Sequence, residues 1–194
     1  MKKLFSILIT LCLTISLSAC AQSLENADTQ KNISSHDVLV AYFSWSGNTA
    51  EMASYIAENT NADLLEIQPE VTYPKDYNEC GDVALNERDT NARPVIGNLP
   101  ESIDEYDTIM IGYPIWWHTA PMIILTFLES YDLNGVSIYP FTQSASMDTE
   151  QFDDSMRAVR DSAKGAYVHD GLFVRSSDTD QIDEYLSQNG LIDR

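Results

Sequence analysis

The sequence predicts an α/β fold in which a doubly wound, parallel, five-stranded sheet is covered by helices on both faces, giving three layers. Short apolar runs rich in β-branched and aromatic residues alternate along the chain with segments of helical period. Such alternation favours parallel strands joined by right-handed crossovers. The predicted strands are residues 38–43, 62–67, 108–113, 136–142 and 167–174. Helices are predicted after the loop that follows the first strand and at residues 122–130, 150–163 and 178–188.

The first twenty residues predict export. Lys2 and Lys3 precede an apolar run, and Leu17-Ser18-Ala19-Cys20 resembles the processing site of a bacterial lipoprotein, in which the cysteine is acylated. An uncleaved membrane helix is the alternative, but the run has about 16 residues and a span needs about 20. We expect an extracytoplasmic protein held on the membrane only by a lipid on Cys20. The expected segments are a signal peptide at 1–19, a flexible tether at 20–36 and one domain at 37–194.

Composition excludes several classes of protein. The chain carries 30 acidic and 11 basic residues, a formal net charge of −19, and nucleic-acid phosphates would be repelled by such a surface. No Cys/His spacing typical of a metal site is present, so no metal is expected. Once Cys12 is removed and Cys20 carries lipid, Cys80 is left alone. That excludes an intramolecular disulfide and favours an ordinary semi-buried Cys80 over a catalytic thiol.

The first predicted strand ends at a loop suited to phosphate. Apart from Trp45, residues 44–49 are small and rich in hydroxyls, and a helical pattern with Met52, Ala53, Ile56 and Ala57 on one face follows at once. A strand, a polar turn and a helix start present free backbone N–H groups and the positive end of the helix dipole. Because the loop contains no Lys or Arg, the sequence favours a cofactor phosphate that stays in place over one that is transferred.

Two further loops belong at the same edge of the sheet, because ligands of doubly wound sheets bind at the carboxyl ends of the strands. The loop after the third strand contains Trp116 and Trp117, which suit stacking on a flat aromatic ligand. Adjacent side chains point apart, so one of the two could equally be a core residue. The loop after the fourth strand, residues 143–146, offers small polar groups.

The connection over residues 68–100 is too long for a plain loop. Residues 76–89 within it show a weak helical pattern, and four prolines interrupt the rest. Such an insertion could be a lid over a site or a decorated surface loop, and the sequence does not separate the two.

Several motifs of the chain resemble those of the flavodoxin family. SWSGNT at 44–49 is similar to the Ser/Thr-x-Ser/Thr-Gly-x-Thr phosphate loop of flavodoxins, and YPIWW at 113–117 resembles the flavin-ring loop of one flavodoxin-like branch. The similarity covers about residues 38–186 and includes YPKDY, the Arg-Pro pair at 93–94 and TFLESYD. It implies the flavodoxin-like strand order 2-1-3-4-5 and FMN bound without a covalent link.

The same resemblance implies a set of cofactor-binding residues. The FMN phosphate would be held by Ser44, Ser46, Gly47, Asn48 and Thr49. The isoalloxazine ring would be lined by Pro114, Ile115, Trp116 and Trp117. Its pyrimidine edge and ribityl side would face Thr142, Gln143, Ser144, Ala145 and Ser146, and Trp45 would cover part of the ribityl chain or ring edge.

His118 occupies a position where relatives often have glycine. A histidine near the flavin could transfer protons, because its pKa lies near neutrality. It could equally be a partly exposed loop residue, so no catalytic residue is assigned.

Three functions remain open from the sequence. The protein could be an FMN electron carrier that docks a redox partner protein, or a flavin-dependent NAD(P)H oxidoreductase acting on a small acceptor such as a quinone, with Arg88 or Arg93 contacting an anion. It could also be a surface binding module with a vestigial flavin site. The intact loops favour a redox role, and the acidic charge predicts a low-potential flavin.

Overall fold

Six strands and five helices lie along residues 38–192, which are the part of the chain that the computed structural model describes. The expected signal peptide, the expected acylation site Cys20 and the expected tether lie outside the described residues. No helix within 38–192 is long and apolar enough to cross a membrane. The elements are β1 (Val38–Tyr42), α1 (Asn48–Thr60), β2 (Asp63–Glu66), α2 (Tyr77–Asp89), β3 (Thr108–Pro114), α3 (Met122–Glu129), β4 (Ser137–Gln143), α4 (Thr149–Ser162), β5 (Tyr167–Val168), β6 (Leu172–Phe173) and α5 (Thr179–Gln188).

The strands pair in parallel in the order β2-β1-β3-β4-β5, and β6 also pairs with β4. This confirms the predicted fold class and strand order. In the middle of the sheet Ala41 lies opposite Ile111, which lies opposite Pro140 on its other side. The chain moves from β1 to β2 in one direction and then to β3 in the other, so the winding reverses beside β1. The loops that follow β1 and β3 therefore meet at this point.

Two apolar layers cover the sheet. On one face Val38, Val40 and Tyr42 of β1 pack with Met52 and Ile56 of α1, in a cluster that also contains residues of α5. The other face carries the alternate β1 residues, and its cluster takes in α3, α4 and part of the insertion before β3. All five residues of β1 are buried because the strand is central and covered on both sides. The predicted three-layer arrangement follows from this pattern.

The fifth strand differs from its prediction. Residues 167–174 were expected to form one continuous strand, but the structure has two strands of two residues each. Ser137 pairs with Tyr167, whereas Phe141 pairs with Leu172, so the outer strand contains one extra residue between the two pairs. An extra residue of this kind interrupts the ladder, as in a β-bulge. The ring of His169, within the interruption, stacks on the Tyr139 ring with centroids 4.1 Å apart.

The opposite edge of the sheet is covered in part by the insertion. Most of β2 is exposed, and an edge strand of this kind has unpaired backbone groups. Asn98 occupies some of them: its side-chain amide donates to the Glu66 carbonyl at 2.7 Å and accepts from the Gln68 N–H at 2.9 Å. The insertion continues this pairing through a bridge between Pro69 and Ile96. Its two ends are thus tied to the sheet.

Gly112 marks the tightest packing in the centre of the sheet. A Cβ atom at this position of β3 would lie 2.2 Å from the Phe141 ring, and Phe141 is fully buried. We expect Gly112→Ala to lower the free energy of unfolding by about 2–4 kcal/mol, because the ring has no free space into which to move. Urea denaturation measures the change. Unaltered stability in this variant would contradict the packing described.

Candidate functional site

The β1–α1 loop has the geometry of an anion site. Ser44 Oγ accepts a hydrogen bond from the Gly47 N–H at 3.2 Å, which folds the loop back on itself. Gly47 has φ 94° and a Cβ atom there would meet nothing within 4 Å, so it turns the chain into α1 at an open position. Ser46 and Asn48 are exposed on the loop, whereas the Thr49 side chain is buried.

The N-terminus of α1 has no side-chain cap. By contrast, Asp76 and Asp148 accept hydrogen bonds from backbone N–H groups at the starts of α2 and α4. No side chain of the described residues bonds to the first N–H groups of α1, although the Glu51 carboxylate lies in its first turn. Helices α3 and α5 likewise have no side-chain cap. An anion could bind at the start of α1, with the neutral hydroxyls of the loop beside it.

The β3–α3 loop contains a tight turn at Trp117 and His118. Trp116 and Thr119 exchange two backbone hydrogen bonds of 3.0 Å across it, and the two central residues have φ of 49° and 64°. Positive φ at both central positions is the geometry of a type I′ turn, which normally carries Asn or Gly. Non-glycine residues in this conformation cost about 1–2 kcal/mol each. Strain of this kind concentrates at functional sites.

The two adjacent tryptophans have different environments. Trp116 is half-buried, and its ring packs edge-on against Phe43 and Tyr73 at 5.3 Å and 5.2 Å. Trp117 is 44% exposed. The sequence left open whether one indole belongs to the core, and the structure gives that role mainly to Trp116.

The loop after β4 is folded by its own hydroxyls. The Ser144 hydroxyl accepts from the Met147 N–H at 3.0 Å and lies 3.4 Å from the Ser146 hydroxyl. Thr142 is 1% exposed, and its hydroxyl donates to the Tyr113 carbonyl. The Thr142 side chain therefore joins β4 to β3, and only its backbone could face a ligand.

Gln143 carries an unsatisfied polar atom. Its Oε1 accepts from the Ser176 N–H at 3.3 Å, but its Nε2 is buried and has no partner among the described residues. Ser176 in turn donates to Glu51 of α1 at 2.8 Å, which places this amide on the side of the sheet where α1 begins. A buried amide donor without an acceptor costs about 1–3 kcal/mol. An acceptor supplied by a ligand would remove that cost.

The insertion is attached to two of these loops through indole N–H groups. Trp45 Nε1 donates to the Pro74 carbonyl at 2.9 Å, and Trp117 Nε1 donates to the Gly81 carbonyl at 2.8 Å. Tyr73 is buried against Phe43 and Trp116. These contacts hold α2 beside the β3–α3 loop, which favours the lid interpretation over a decorated surface loop.

A cavity of about 510 Å³ lies between α2 and the loops. Its deep part is apolar, with Cys80, Ala84 and Ile115 each less than 10% exposed. Its exposed lining residues include Tyr77 and His118. The lining residues are Trp45, Tyr77, Asn78, Cys80, Gly81, Asp82, Ala84, Ile115, Trp116, Trp117, His118, Ser144, Ala145, Ser146 and Gln151. An apolar base with polar groups at the rim suits a planar organic ligand.

Asp82 is the only Asp, Glu, Lys or Arg among the lining residues. Arg93, one of two arginines considered as an anion contact, instead donates two hydrogen bonds of 2.7 Å to the Glu129 carboxylate. Burial raises the pKa of the Cys80 thiol, and the charge of Glu87 raises it further. Cys80 therefore stays protonated at neutral pH and lines the cavity as a small apolar group.

The cavity includes eight of the sixteen residues expected at the cofactor. They are Trp45, Ile115, Trp116, Trp117, His118, Ser144, Ala145 and Ser146. The other eight lie outside its lining: Ser44, Ser46, Gly47, Asn48, Thr49, Pro114, Thr142 and Gln143. Five of these belong to the β1–α1 loop, which adjoins the cavity at Trp45.

Sequence reasoning missed the contribution of α2 and Gln151. Six lining residues, Tyr77, Asn78, Cys80, Gly81, Asp82 and Ala84, come from the insertion. Their only signal in the sequence was the possibility of a lid, because the helix buries just Cys80 and Ala84 and has no strong apolar face.

Comparison with known proteins agrees with this geometry. The model of the flavodoxin family matches residues 37–189. The chain belongs to the flavodoxin family. No protein of curated function matches the sequence.

Solved structures of similar flavodoxin-like chains extend the comparison. A protein assigned as a flavoprotein from Bacteroides eggerthii has 32% sequence identity and a TM-score of 0.69, over 78% of this chain and 96% of that one. A counterpart from Bacteroides uniformis has 32% identity and a TM-score of 0.68, over 78% and 98% of the two chains. A flavoprotein from Lactobacillus acidophilus, solved in complex with FMN, has 28% identity and a TM-score of 0.63, over 75% and 97%.

Gly81 provides a test of the α2 helix. It lies in the helix interior, and a Cβ atom there would meet no protein atom within 4 Å. We expect Gly81→Ala to raise the free energy of unfolding by about 0.5–1 kcal/mol, because alanine loses less backbone entropy in a helix. Urea denaturation measures the change.

Gly135→Ala is the matched control. This position also has nothing within 4 Å, but its φ is 82°, so the same methyl group should destabilise by about 1 kcal/mol. Equal effects at the two positions would contradict the helical assignment of Gly81.

Proposed function

We propose that this protein is a redox protein that binds FMN, with the phosphate at the β1–α1 loop and the ring in the cavity beneath α2. The observation that carries the proposal is the junction of an uncapped helix N-terminus with an aromatic cavity, which meet at Trp45. Membership of the flavodoxin family and the FMN complex of the Lactobacillus acidophilus relative support it.

The donors present fit a phosphate. Gly47 keeps the loop open, Ser46 and Asn48 are exposed, and the start of α1 lacks a capping carboxylate. The buried Gln143 Nε2 is a separate donor in need of an acceptor, and in the expected arrangement it would face the pyrimidine edge or ribityl side of the flavin. None of these groups is cationic, so the phosphate would be bound through N–H and O–H groups and the helix dipole.

The residues of the cavity fit a flat aromatic ring. Trp117 and Tyr77 offer exposed rings, and Ile115, Cys80 and Ala84 form an apolar base that excludes water. When bound, FMN would supply the redox chemistry. The chain would hold the ring, shield one part of it from solvent and leave the exposed His118 beside it. Proton transfer by His118 remains a prediction.

A comparison of FMN with riboflavin tests the phosphate site. We expect FMN to bind about 100-fold more tightly than riboflavin, because two charge-assisted hydrogen bonds contribute about 3 kcal/mol. Ser46→Ala should weaken FMN binding by about tenfold and leave riboflavin binding unchanged. Fluorescence titration of the flavin measures both affinities.

Ser187→Ala is the control, because Ser187 is exposed on α5 and should affect neither ligand. Equal affinity for FMN and riboflavin would overturn the phosphate site. A protein that binds neither flavin would overturn the proposed function.

We infer a role in electron transfer at the cell envelope from the N-terminal sequence and the charge. Leu17-Ser18-Ala19-Cys20 is the feature that suggests lipid anchoring outside the cytoplasm. The net charge of −19 suits a redox partner protein with a basic docking face. Metabolic labelling with a fatty acid, compared between the wild type and Cys20→Ala, would test the anchor.

One observation favours a second function, reduction of a small acceptor such as a quinone by NAD(P)H. The insertion places α2 directly at the cavity, and a covered site suits small substrates. Of the two arginines considered for an anion contact, only Arg88 lies beside a cavity residue, since its guanidinium contacts Trp117. Steady-state NADH and NADPH oxidation with a quinone distinguishes the two functions: rapid turnover indicates a reductase, and its absence an electron carrier.

Asp82 should influence the midpoint potential of bound FMN. Its carboxylate adds negative charge to the cavity lining and so opposes reduction. We expect Asp82→Asn to raise the two-electron midpoint potential by on the order of 10 mV, because the side chain is exposed and partly screened by solvent. Asp161→Asn on α4 removes the same charge away from the cavity lining. Equal shifts in the two variants would contradict a local effect of Asp82.

A further inference from the structure

Trp117 is held against two successive turns of α2. Its indole Nε1 donates to the Gly81 carbonyl at 2.8 Å. Arg88 Nη1 donates to the Trp117 carbonyl at 3.2 Å, and the Arg88 guanidinium carbon lies 5.8 Å from the centroid of the indole. Gly81 and Arg88 are seven residues apart, so they share one side of the helix. Asp89 binds the same guanidinium at 2.7 Å.

Burial does not fix the position of α2 strongly. Of its thirteen residues only Cys80 and Ala84 are buried, and both have small side chains. The segments on either side are anchored more firmly, through the buried rings and side chains of Tyr73 and Ile96. A helix with a small apolar contact between two fixed ends can lift away at little cost. Glu87 of α2 also accepts a hydrogen bond from the Tyr73 hydroxyl at 2.8 Å. The contacts of Trp117 hold the helix at a separate point, beside the β3–α3 loop.

The Trp117–Gly81 hydrogen bond is suited to breaking and reforming. A helical carbonyl has a second lone pair, so Gly81 stays paired within α2 when the indole leaves. Trp117 is 44% exposed, so water can replace the lost acceptor. Breaking this bond alone leaves neither partner unsatisfied and costs about one ordinary hydrogen bond. Full opening of α2 also breaks the bonds from Arg88 to the Trp117 carbonyl and from the Tyr73 hydroxyl to Glu87.

We propose that Trp117 is a positioning residue that latches α2 over the cavity through this hydrogen bond, and that release of the latch opens the site to its ligand. The identity of that ligand as FMN rests on the proposed function. The latch itself involves only two protein groups, the Trp117 indole N–H and the Gly81 carbonyl. Trp117 therefore has a role besides lining the cavity, and the insertion is a lid that opens by separating from the β3–α3 loop.

Trp117→Phe in the full chain tests the latch, because it keeps an aromatic ring and removes the N–H group. In the flavin-free protein, we expect the backbone amides of α2 to exchange with deuterium about fivefold faster than in the wild type, and those of α5 to be unchanged. With FMN, stopped-flow fluorescence should give association and dissociation rate constants that both rise by about fivefold. A site that had merely lost a contact would show only faster dissociation.

Tyr131→Phe is the matched control. It removes one hydrogen bond from an aromatic side chain to a backbone carbonyl, that of Pro100 at 2.8 Å, away from α2. Exchange in α2 should be the same in this variant as in the wild type. Arg88→Gln provides a second approach, since it removes the contacts with the Trp117 carbonyl and ring, and it should accelerate α2 exchange in the same direction.

The outcomes separate the latch from the flavin site. If α2 exchanges at the wild-type rate in Trp117→Phe, the latch is wrong, whether or not FMN binds. If Tyr131→Phe accelerates α2 exchange as much as Trp117→Phe does, the effect is general destabilisation and the latch is also wrong. Faster α2 exchange in Trp117→Phe alone, in a protein that binds no flavin, would support the latch and overturn the proposed function.

Discussion

Parallel pairing of β1, β3 and β4 is the constraint on which the rest of the structure depends. Because the three strands run in the same direction and in register, the loops that follow them leave from one edge of the sheet. Residues far apart in sequence, such as Trp45, Trp117 and Ser144, line the same cavity for that reason. The hydrogen bond from Thr142 to the Tyr113 carbonyl strengthens this edge where β3 and β4 end. The sheet supplies rigidity, and the loops supply the chemical groups.

The insertion changes what this edge can do. Without the insertion, the loops at the carboxyl ends of the strands would be open to any macromolecule that approached them. Here α2 lies across the loops, and the indoles of Trp45 and Trp117 hold its segment by donating to carbonyl groups. The same two residues also line the cavity, so ligand binding and attachment of the insertion use one set of side chains. The strained turn at Trp117 and His118 fits this double use. Its positive φ angles are unfavourable for these residues, but they accompany an arrangement in which the Trp117 indole contacts α2.

Much of the fold could be predicted from the sequence because the signals were local. A fully buried strand such as β1 is a continuous apolar run, and the loop at 44–49 has the small residues that a strand–helix turn requires. The interruption between β5 and β6 could not be predicted, since a single extra residue alters the register with β4 without changing the apolar pattern. The sequence predicted the cavity residues that come from the three loops, but not those that come from α2. Six residues of the cavity come from α2, whose position depends on long-range hydrogen bonds to Pro74 and Gly81 that leave no trace in the local sequence.

Asn98 has a consequence for how copies of this domain can meet. Its side-chain oxygen accepts from the Gln68 N–H, and its side-chain nitrogen donates to the Glu66 carbonyl. The side chain therefore takes the place of a single peptide unit of a neighbouring strand. Open sheet margins are where proteins recruit strands from other molecules and begin to polymerise. At this margin a foreign strand would first have to displace an internal amide that is already bound at both ends. Recruitment of a second strand at the end of β2 is thereby opposed by one residue that belongs to no strand itself.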